Sequence, residues 1–186
     1  MEKNTPAVNN KKYGRHIVQY PPEVSACVGC NACEIVCALV HEGKTGPMLR
    51  RIFLERDTVM LFNHVIYTCQ HCVDHPCYDA CPKKDAAMCL DEEKGIVYIN
   101  PEFCIGCKRC IKACPFEPKR INFNKSEKKA VKCDLCRDRE NGPACVEFCQ
   151  VRCIGLSDQP LPPPPPAPPL PEGKPNENDS EQTPSA

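Results

Sequence analysis

The sequence has 18 cysteines among 186 residues, and most of them recur at short, fixed spacings. Thiolates bind soft metal ions and iron–sulfur clusters, and cysteines at this density can otherwise form disulfides. Four runs contain all but two of them: run one is Cys27, Cys30, Cys33 and Cys37; run two is Cys69, Cys72, Cys77 and Cys81; run three is Cys104, Cys107, Cys110 and Cys114; run four is Cys133, Cys136, Cys145 and Cys149. The pattern therefore favours a protein organised around cysteine-bound metal.

The spacing within the runs indicates [4Fe-4S] clusters. In a C-x2-C-x2-C-x3-C run, three thiolates can face one cubic cluster while the fourth cysteine points elsewhere. In two-cluster ferredoxins the fourth cysteine binds the other cluster and is followed by proline. Runs two and three have this ending, at Cys81-Pro82 and Cys114-Pro115, although run two has a longer C-x4-C step. Gly29 and Gly106, inside the first steps of runs one and three, suit a loop whose amides turn toward sulfur.

Other cysteine chemistries fit the spacing less well. Structural zinc uses two C-x2-C pairs per ion, so it suits run four alone better than the other runs. Disulfides need an oxidising compartment, and the polar segment Met1–Lys12 has no apolar core typical of an export signal. We therefore expect a cytoplasmic protein. A nucleophilic Cys–His enzyme would not need so many spaced cysteines.

Charge and hydropathy exclude two further classes. Lysine plus arginine number 24 and aspartate plus glutamate number 24, so the basic excess typical of a nucleic-acid-binding protein is missing. No apolar stretch approaches 18 residues, so we expect no membrane insertion.

Short strands and helices are predicted around the runs. Residues 96–99 and 87–90 flank a turn that ends at Gly95, which predicts a hairpin. Further strand patterns occupy residues 15–20, 49–56, 58–67, 121–124 and 130–132. Short helices are predicted after the third cysteines of runs one, two and three, for example over 34–40 and 109–114. These elements predict an α+β fold.

The chain divides into three segments by composition. Residues 1–12 form a polar arm that we expect to be flexible, and residues 13–158 contain all the cysteines. Residues 159–186 begin with a proline-rich stretch, which predicts an extended polyproline II tail followed by a polar, disordered end. The tail either keeps the protein in solution or lies along a partner subunit.

Taken in order, the four runs resemble those of the four-cluster ferredoxin-like electron-transfer subunits of molybdenum and tungsten oxidoreductases, such as dimethyl sulfoxide reductase and formate dehydrogenase. The resemblance covers about residues 13–155 and implies four [4Fe-4S] clusters in two ferredoxin-like dicluster halves. Sequence alone also permits tandem pairing of run one with run two and of run three with run four. The resemblance implies a nested pairing instead, with four ligand sets: Cys27, Cys30, Cys33 and Cys149; Cys133, Cys136, Cys145 and Cys37; Cys69, Cys72, Cys77 and Cys114; Cys104, Cys107, Cys110 and Cys81.

The stretches 37–43 and 46–52 are similar to those of the small subunits of tungsten aldehyde-oxidoreductase-type complexes, including class II benzoyl-CoA reductase. The resemblance implies a non-catalytic subunit that relays single electrons to or from a large catalytic subunit with a bis-pterin tungsten or molybdenum cofactor. Further electron-transfer subunits or a ferredoxin are possible additional partners. The alternatives are a free polyferredoxin without a stable partner and a zinc-binding structural module.

Several residues outside the ligand sets have more than one interpretation. Cys89 and Cys153 are expected to be small buried residues, with a spare ligand or a redox thiol as the alternative. His71 and His75 are expected to hydrogen-bond or pack within run two, and His41 to pack or lie at the surface. The basic segment 108–139 is interpreted as a solvated face that balances cluster charge, or as a docking surface for an acidic partner.

Overall fold

A computed structural model describes residues 13–60 and 62–158. The predicted flexible arm and the predicted proline-rich tail lie outside the described residues. In chain order the elements are β1 (Ile17–Gln19), α1 (Ala32–Glu42), β2 (Phe53–Glu55), β3 (Val65–Tyr67), α2 (Pro76–Asp79), β4 (Met88–Asp91), β5 (Ile96–Ile99), α3 (Arg109–Ala113), β6 (Ile121–Asn124), β7 (Lys129–Lys132), α4 (Ala144–Glu147) and β8 (Ile154–Leu156). Short antiparallel strand pairs and a few helices thus form a small α+β structure.

The strands pair in twos. β2 pairs with β3, β4 with β5, and β6 with β7, each as an antiparallel hairpin. The remaining pair joins distant parts of the chain, because β1 lies antiparallel to β8 with Ile17 opposite Leu156. Runs one, two and three are therefore each followed by a hairpin, and the strand after run four closes against the strand that precedes run one.

The predicted strand positions are largely found, but two are shorter than expected. The turn at 91–95 joins β4 and β5, and Gly95 has a φ of 64° as this tight turn requires. The strand patterns at 49–56 and 58–67 leave only β2 and β3 in regular pairing. The side chains of Val59 and Met60 in the intervening loop are exposed, so their apolar character does not reflect burial in a sheet.

Two groups of buried apolar residues form the interior. The larger group contains Ile17, Ile52, Ile154 and Leu156 together with cysteines mainly of runs one and four. The smaller group contains Met88, Val97, Ile121 and Ala130, packed with cysteines of runs two and three. The helices follow the same division, since α1 packs on α4 and α2 packs on α3.

Candidate metal centres

The loop in the first step of each run has the same backbone bend. The residue immediately before the second cysteine has a positive φ in every run: 69° at Gly29, 45° at His71, 68° at Gly106 and 56° at Leu135. A left-handed residue in such a loop turns successive amide groups inward and makes a concavity that favours anions. The four runs are therefore repeats of one local structure, although only two of them have glycine at this position.

Close packing explains the glycines in runs one and three. A Cβ on Gly106 would collide with the Lys128 carbonyl oxygen, and a Cβ on Gly29 would lie 2.7 Å from His64 Nε2. The hairpin loops that follow runs one and three therefore pass directly against the cysteine loops. At Gly106 the neighbouring atom belongs to the backbone, so only a residue without a side chain allows this approach; at Gly29 the His64 side chain would have to move.

The third cysteine has the same place in every run. Each of the four helices begins one residue before it, so Cys33, Cys77, Cys110 and Cys145 are each the second residue of a helix. The helix within run four was not predicted from the sequence. Its start follows Pro143, whose extended backbone is typical of the residue just before a helix.

The helix packing brings the last cysteine of one run to the first three of another. One cavity, with about 300 Å³ of space between atoms, is lined by Cys27, Cys30, Cys33 and Cys149. Two cavities of about 350 Å³ are lined by the following sets: Cys69, Cys72, Cys77 and Cys114; Cys81, Cys104, Cys107 and Cys110. Each cavity therefore combines the first three cysteines of one run with the last cysteine of another, which indicates sites for the same kind of group.

The remaining four cysteines of the runs also lie together. Burial raises the pKa of Cys133, and proximity to Cys37 raises it further. Burial likewise raises the pKa of Cys145, and the nearby thiols of Cys133, Cys37 and Cys136 raise it further. Three cavities therefore each bring together four cysteines from two runs, and Cys37 lies near Cys133, Cys136 and Cys145.

These donor sets suit a metal group of high positive charge. Burial is the main cause that raises the pKa of Cys33 and Cys110 to about 12 and the pKa of Cys72 and Cys77 to about 11. Thiolates crowded in an apolar cavity need a nearby cation, and a coordinating metal deprotonates its thiols outright. Four convergent sulfurs suit zinc or an iron–sulfur cluster, so the geometry alone leaves both open.

Backbone amides donate hydrogen bonds to several sulfur atoms. The amide of Arg51 lies 3.3 Å from Cys37 Sγ, and the amide of Arg120 lies 3.4 Å from Cys114 Sγ. The fourth cysteines of runs one and three are thus supported in the same way, by an amide just before the strand that follows each run. Hydrogen bonds of this kind help to set the potential of a bound cluster.

A buried lysine, Lys132, lines the cavity of Cys69, Cys72, Cys77 and Cys114, and the sequence did not indicate it. Lys132 belongs to the segment interpreted as a solvated basic face, but its side chain is only 3% exposed. Its Nζ donates to the carbonyls of Val97 and Cys133, and no ion pair of Lys132 occurs within the described part of the chain. Burial lowers the pKa of Lys132, but Cys69 and Cys77 raise it, and the net shift is upward. A buried ammonium needs a partner of opposite charge, and Cys69 and Cys77, once deprotonated, are the nearby groups that can supply it.

His71 lines the same cavity and is 1% exposed. Its Nδ1 accepts a hydrogen bond from the Val97 amide at 3.2 Å, so the ring proton is on Nε2. Nε2 has no hydrogen-bond partner among the described protein atoms. Burial and the charge of Lys132 lower the pKa of His71, which keeps the ring neutral. Its expected role in hydrogen bonding within run two agrees with these contacts.

The other singled-out residues lie as follows. His41 is partly buried, and its Nε2 lies 3.0 Å from Asp134 Oδ1, a carboxylate that Arg51 also contacts. The thiol of Cys89 contacts the Ala86 carbonyl at 3.4 Å outside the three cavities and is only partly buried, less than predicted. Cys153 is fully buried, as predicted, and lines the cavity of run one.

Several side chains of the basic segment contact other parts of the protein. Arg120 lies over the ring of Tyr67, Arg137 lies over Tyr98, and Arg139 forms an ion pair with Glu147. These side chains pack against different parts of the molecule.

Among the described residues, no helix has the length and apolar character needed to cross a bilayer.

Comparison with known proteins distinguishes between the two metal chemistries. Residues 60–159 match the family model of the 4Fe-4S dicluster domain, a range that includes runs two, three and four. Electron transport protein HydN of Escherichia coli K12 is 31% identical over 154 residues, which cover 74% of this chain and 86% of HydN. The polyferredoxin-like subunit of the aliphatic sulfonate oxidoreductase of Pyrococcus furiosus is 42% identical over 125 residues, which cover 66% of each chain.

Two further similarities are narrower. AegA of E. coli K12 is 39% identical over 137 residues, which cover 70% of this chain but only 20% of AegA. A chain of the active-site complex BamBC of benzoyl coenzyme A reductase is 21% identical, with coverage of 80% of this chain and 81% of that chain and a TM-score of 0.41. That structural similarity is too low to support a conclusion about function. The family match and the HydN relationship are sufficient, together with the cysteine geometry, to establish that the chain belongs to the 4Fe-4S dicluster domain family.

Proposed function

We propose that the protein is the electron-transfer subunit of an oxidoreductase and holds four [4Fe-4S] clusters. Such clusters, when bound, take up and release single electrons. The observation that carries the proposal is that three cavities are each lined by four run cysteines from two runs, while the remaining four run cysteines lie near one another. An electron-transfer role without catalysis agrees with the names of HydN and the P. furiosus subunit.

The ligand assignment follows the four sets. We infer that the clusters are held by these groups: Cys27, Cys30, Cys33 and Cys149; Cys37, Cys133, Cys136 and Cys145; Cys69, Cys72, Cys77 and Cys114; Cys81, Cys104, Cys107 and Cys110. The first two sets would form one ferredoxin-like dicluster half and the last two the other. The packing of α1 on α4 and of α2 on α3 supports this division.

The two halves are in contact through their cysteines. Cys69 of run two packs in the larger apolar group with the cysteines of runs one and four. It is also close enough to Cys133 to raise the pKa of that thiol, after the larger effects of burial and Cys37. Residues of the second and third sets are therefore neighbours, as electron transfer between the two halves requires.

The first and fourth sets contain the exposed cysteines, and we call them the outer sets. Cys30 and Cys107, the second cysteines of runs one and three, are exposed, whereas Cys133, Cys136 and Cys145 are buried. Each exposed cysteine follows an exposed apolar residue two positions earlier: Val28 is 45% exposed and Ile105 is 61% exposed. Exposed cysteines in both outer sets support one partner at each, a donor and an acceptor.

We propose that one partner is a large catalytic subunit of the bis-pterin tungsten or molybdenum type, and that the other is a further electron-transfer subunit or a ferredoxin. The name of the P. furiosus relative, a polyferredoxin-like subunit of an oxidoreductase, supports a catalytic partner; the tungsten or molybdenum type is implied by the resemblance of the four runs. The cytoplasmic location stays a prediction that cell fractionation can test.

The decisive experiment is metal and sulfide analysis of the protein purified anaerobically from its native cells. We expect about 16 iron and about 16 acid-labile sulfide per chain, negligible zinc, and reduction by a low-potential reductant. A tungsten- or molybdenum-containing subunit should remain bound at high salt. About 12 iron would refute the count of four. Zinc with negligible iron would refute the electron-transfer function, and full iron without any bound subunit would favour a free polyferredoxin.

A further inference from the structure

Cys153 is a fifth cysteine in the cavity formed by runs one and four. It lines the same cavity as Cys27, Cys30, Cys33 and Cys149, and its side chain is 1% exposed. Its Sγ lies 3.6 Å from Cys149 Sγ, within the reach of an S–H···S hydrogen bond. Cys27, another member of the set, lines the same cavity and lies near the Cys153 thiol. The sulfur therefore faces two members of the set rather than apolar side chains alone.

The two neighbouring sulfurs are held by different parts of the fold. Cys149 follows α4, and its amide donates to the Val146 carbonyl at 3.3 Å. Cys153 immediately precedes β8, and its carbonyl accepts a hydrogen bond of 2.8 Å from the Tyr20 amide. Arg152 between them has a φ of 51°, and this bend brings both side chains to the same edge of the cavity. Removal of one side chain would therefore leave the other in position.

The other two cavities are lined by four cysteines each, among the residues that the structure describes. Cys89, the second cysteine outside the runs, contacts only backbone carbonyls of its own loop among its described hydrogen-bond partners. A need for a small buried residue would explain Cys153 equally well at any core position. That need does not explain why the Cys153 sulfur lines a cavity that already has four cysteines.

We propose that Cys153 is a reserve iron ligand for the cavity of Cys27, Cys30, Cys33 and Cys149. In the intact protein it remains a thiol hydrogen-bonded to Cys149. When the bond from Cys149 to iron is absent, the Cys153 thiol releases its proton to solvent and its sulfur forms the iron–sulfur bond in its place. The exchange is a ligand substitution and requires no oxidant or reductant. The inference rests on the proposed function, because it requires a cluster in this cavity.

The test compares two cysteines with matching positions in their sets. Cys149 and Cys114 are the last cysteines of runs four and three, and each completes a set begun by another run. Only Cys149 has a neighbouring fifth thiol. We would prepare Cys149→Ala, Cys114→Ala, Cys153→Ala and the double variant Cys149→Ala/Cys153→Ala in the full chain. Iron, sulfide and the electron paramagnetic resonance signal of a three-iron cluster would be measured anaerobically.

We expect Cys149→Ala and Cys153→Ala to keep the iron content of the parent, without a three-iron signal. Cys114→Ala and the double variant should each show that signal or lose up to about a quarter of the iron. The proposal would be overturned if Cys149→Ala loses as much iron, relative to the parent chain, as Cys114→Ala does. So would a double variant with as much iron as Cys149→Ala. If the parent chain contains the full amount of iron, the proposed function stands even when the reserve-ligand proposal fails. A parent chain without iron and sulfide would refute the proposed function and the reserve-ligand proposal together.

Discussion

Replacement of Gly106 by alanine tests whether the cysteine loop depends on its contact with the following hairpin. Gly106 has a φ of 68°, and an added Cβ would lie against the Lys128 carbonyl oxygen, well inside the 3.0 Å that real Cβ atoms keep. Gly43, at the end of α1, has almost the same φ of 65° but nothing within 4 Å of the added atom. The pair therefore separates backbone strain from collision.

The expected magnitude follows from this difference. Both substitutions place alanine in the left-handed region, which costs about 1–2 kcal/mol, and both gain the same small unfolded-state entropy term. Only Gly106→Ala must also displace the Lys128 backbone, by about 1 Å, and overpacking of this kind costs about 1–3 kcal/mol. We expect Gly106→Ala to be less stable than Gly43→Ala by about 2 kcal/mol, which is about a 30-fold ratio of equilibrium constants.

The assay is the loss of cluster absorbance in urea, followed as a rate because loss of the metal group makes unfolding irreversible. Gly106→Ala should lose absorbance at least several-fold faster than Gly43→Ala, and the purified protein should contain less iron. Equal rates for the two variants would refute the reasoning, because the collision would then be relieved without effect on the loop around Cys107.

Three further outcomes are expected. Lys132→Met should lower the midpoint potential of one cluster by about 60 mV or more, because the buried ammonium stabilises the added electron; a tenfold change in the reduced-to-oxidised ratio corresponds to about 59 mV. Potentiometric titration should show no such change for Lys125→Met in the exposed β6–β7 turn, and an unchanged potential in Lys132→Met would contradict the role of this charge. Gly155→Ala should destabilise the protein by about 1–3 kcal/mol, because the added Cβ collides with the Tyr20 hydroxyl; thermal unfolding measures this, and Tyr20→Phe in the same chain should restore part of the loss. Cys89→Ala should leave the iron content unchanged, whereas a loss of iron would show that this thiol is a ligand.

The local structure of the runs could be predicted well because it depends on neighbouring residues. The turn ending at Gly95 forms the hairpin expected from its glycine, and the helices at 32–42 and 109–113 begin close to the expected cysteines. Run four was harder, because its x8 step conceals the spacing that marks a helix start in the other runs. Its third cysteine nevertheless occupies the same helical position.

Features that depend on distant packing could not be predicted. Lys132 lies in a segment rich in lysine and arginine, so composition predicted exposure; its burial results from contacts with Val97 and His71, far away in the chain. The positive φ value at Leu135 was equally hidden, since leucine rarely adopts the left-handed region. Histidine adopts it more often, but nothing in the sequence around His71 marked that position. The pairing of β1 with β8 carried no local signal at all.

That outermost pairing has a consequence for synthesis on the ribosome. The chain grows from its N-terminus, so α2 and α3 emerge close together, whereas α1 must wait for α4 and β1 for β8. His41 at the end of α1 contacts Asp134, 93 residues later. The half built from runs two and three can therefore fold while the nascent chain is still growing. The thiols of run one are the first to be made and the last to be enclosed, and the cell must keep them reduced for the longest time.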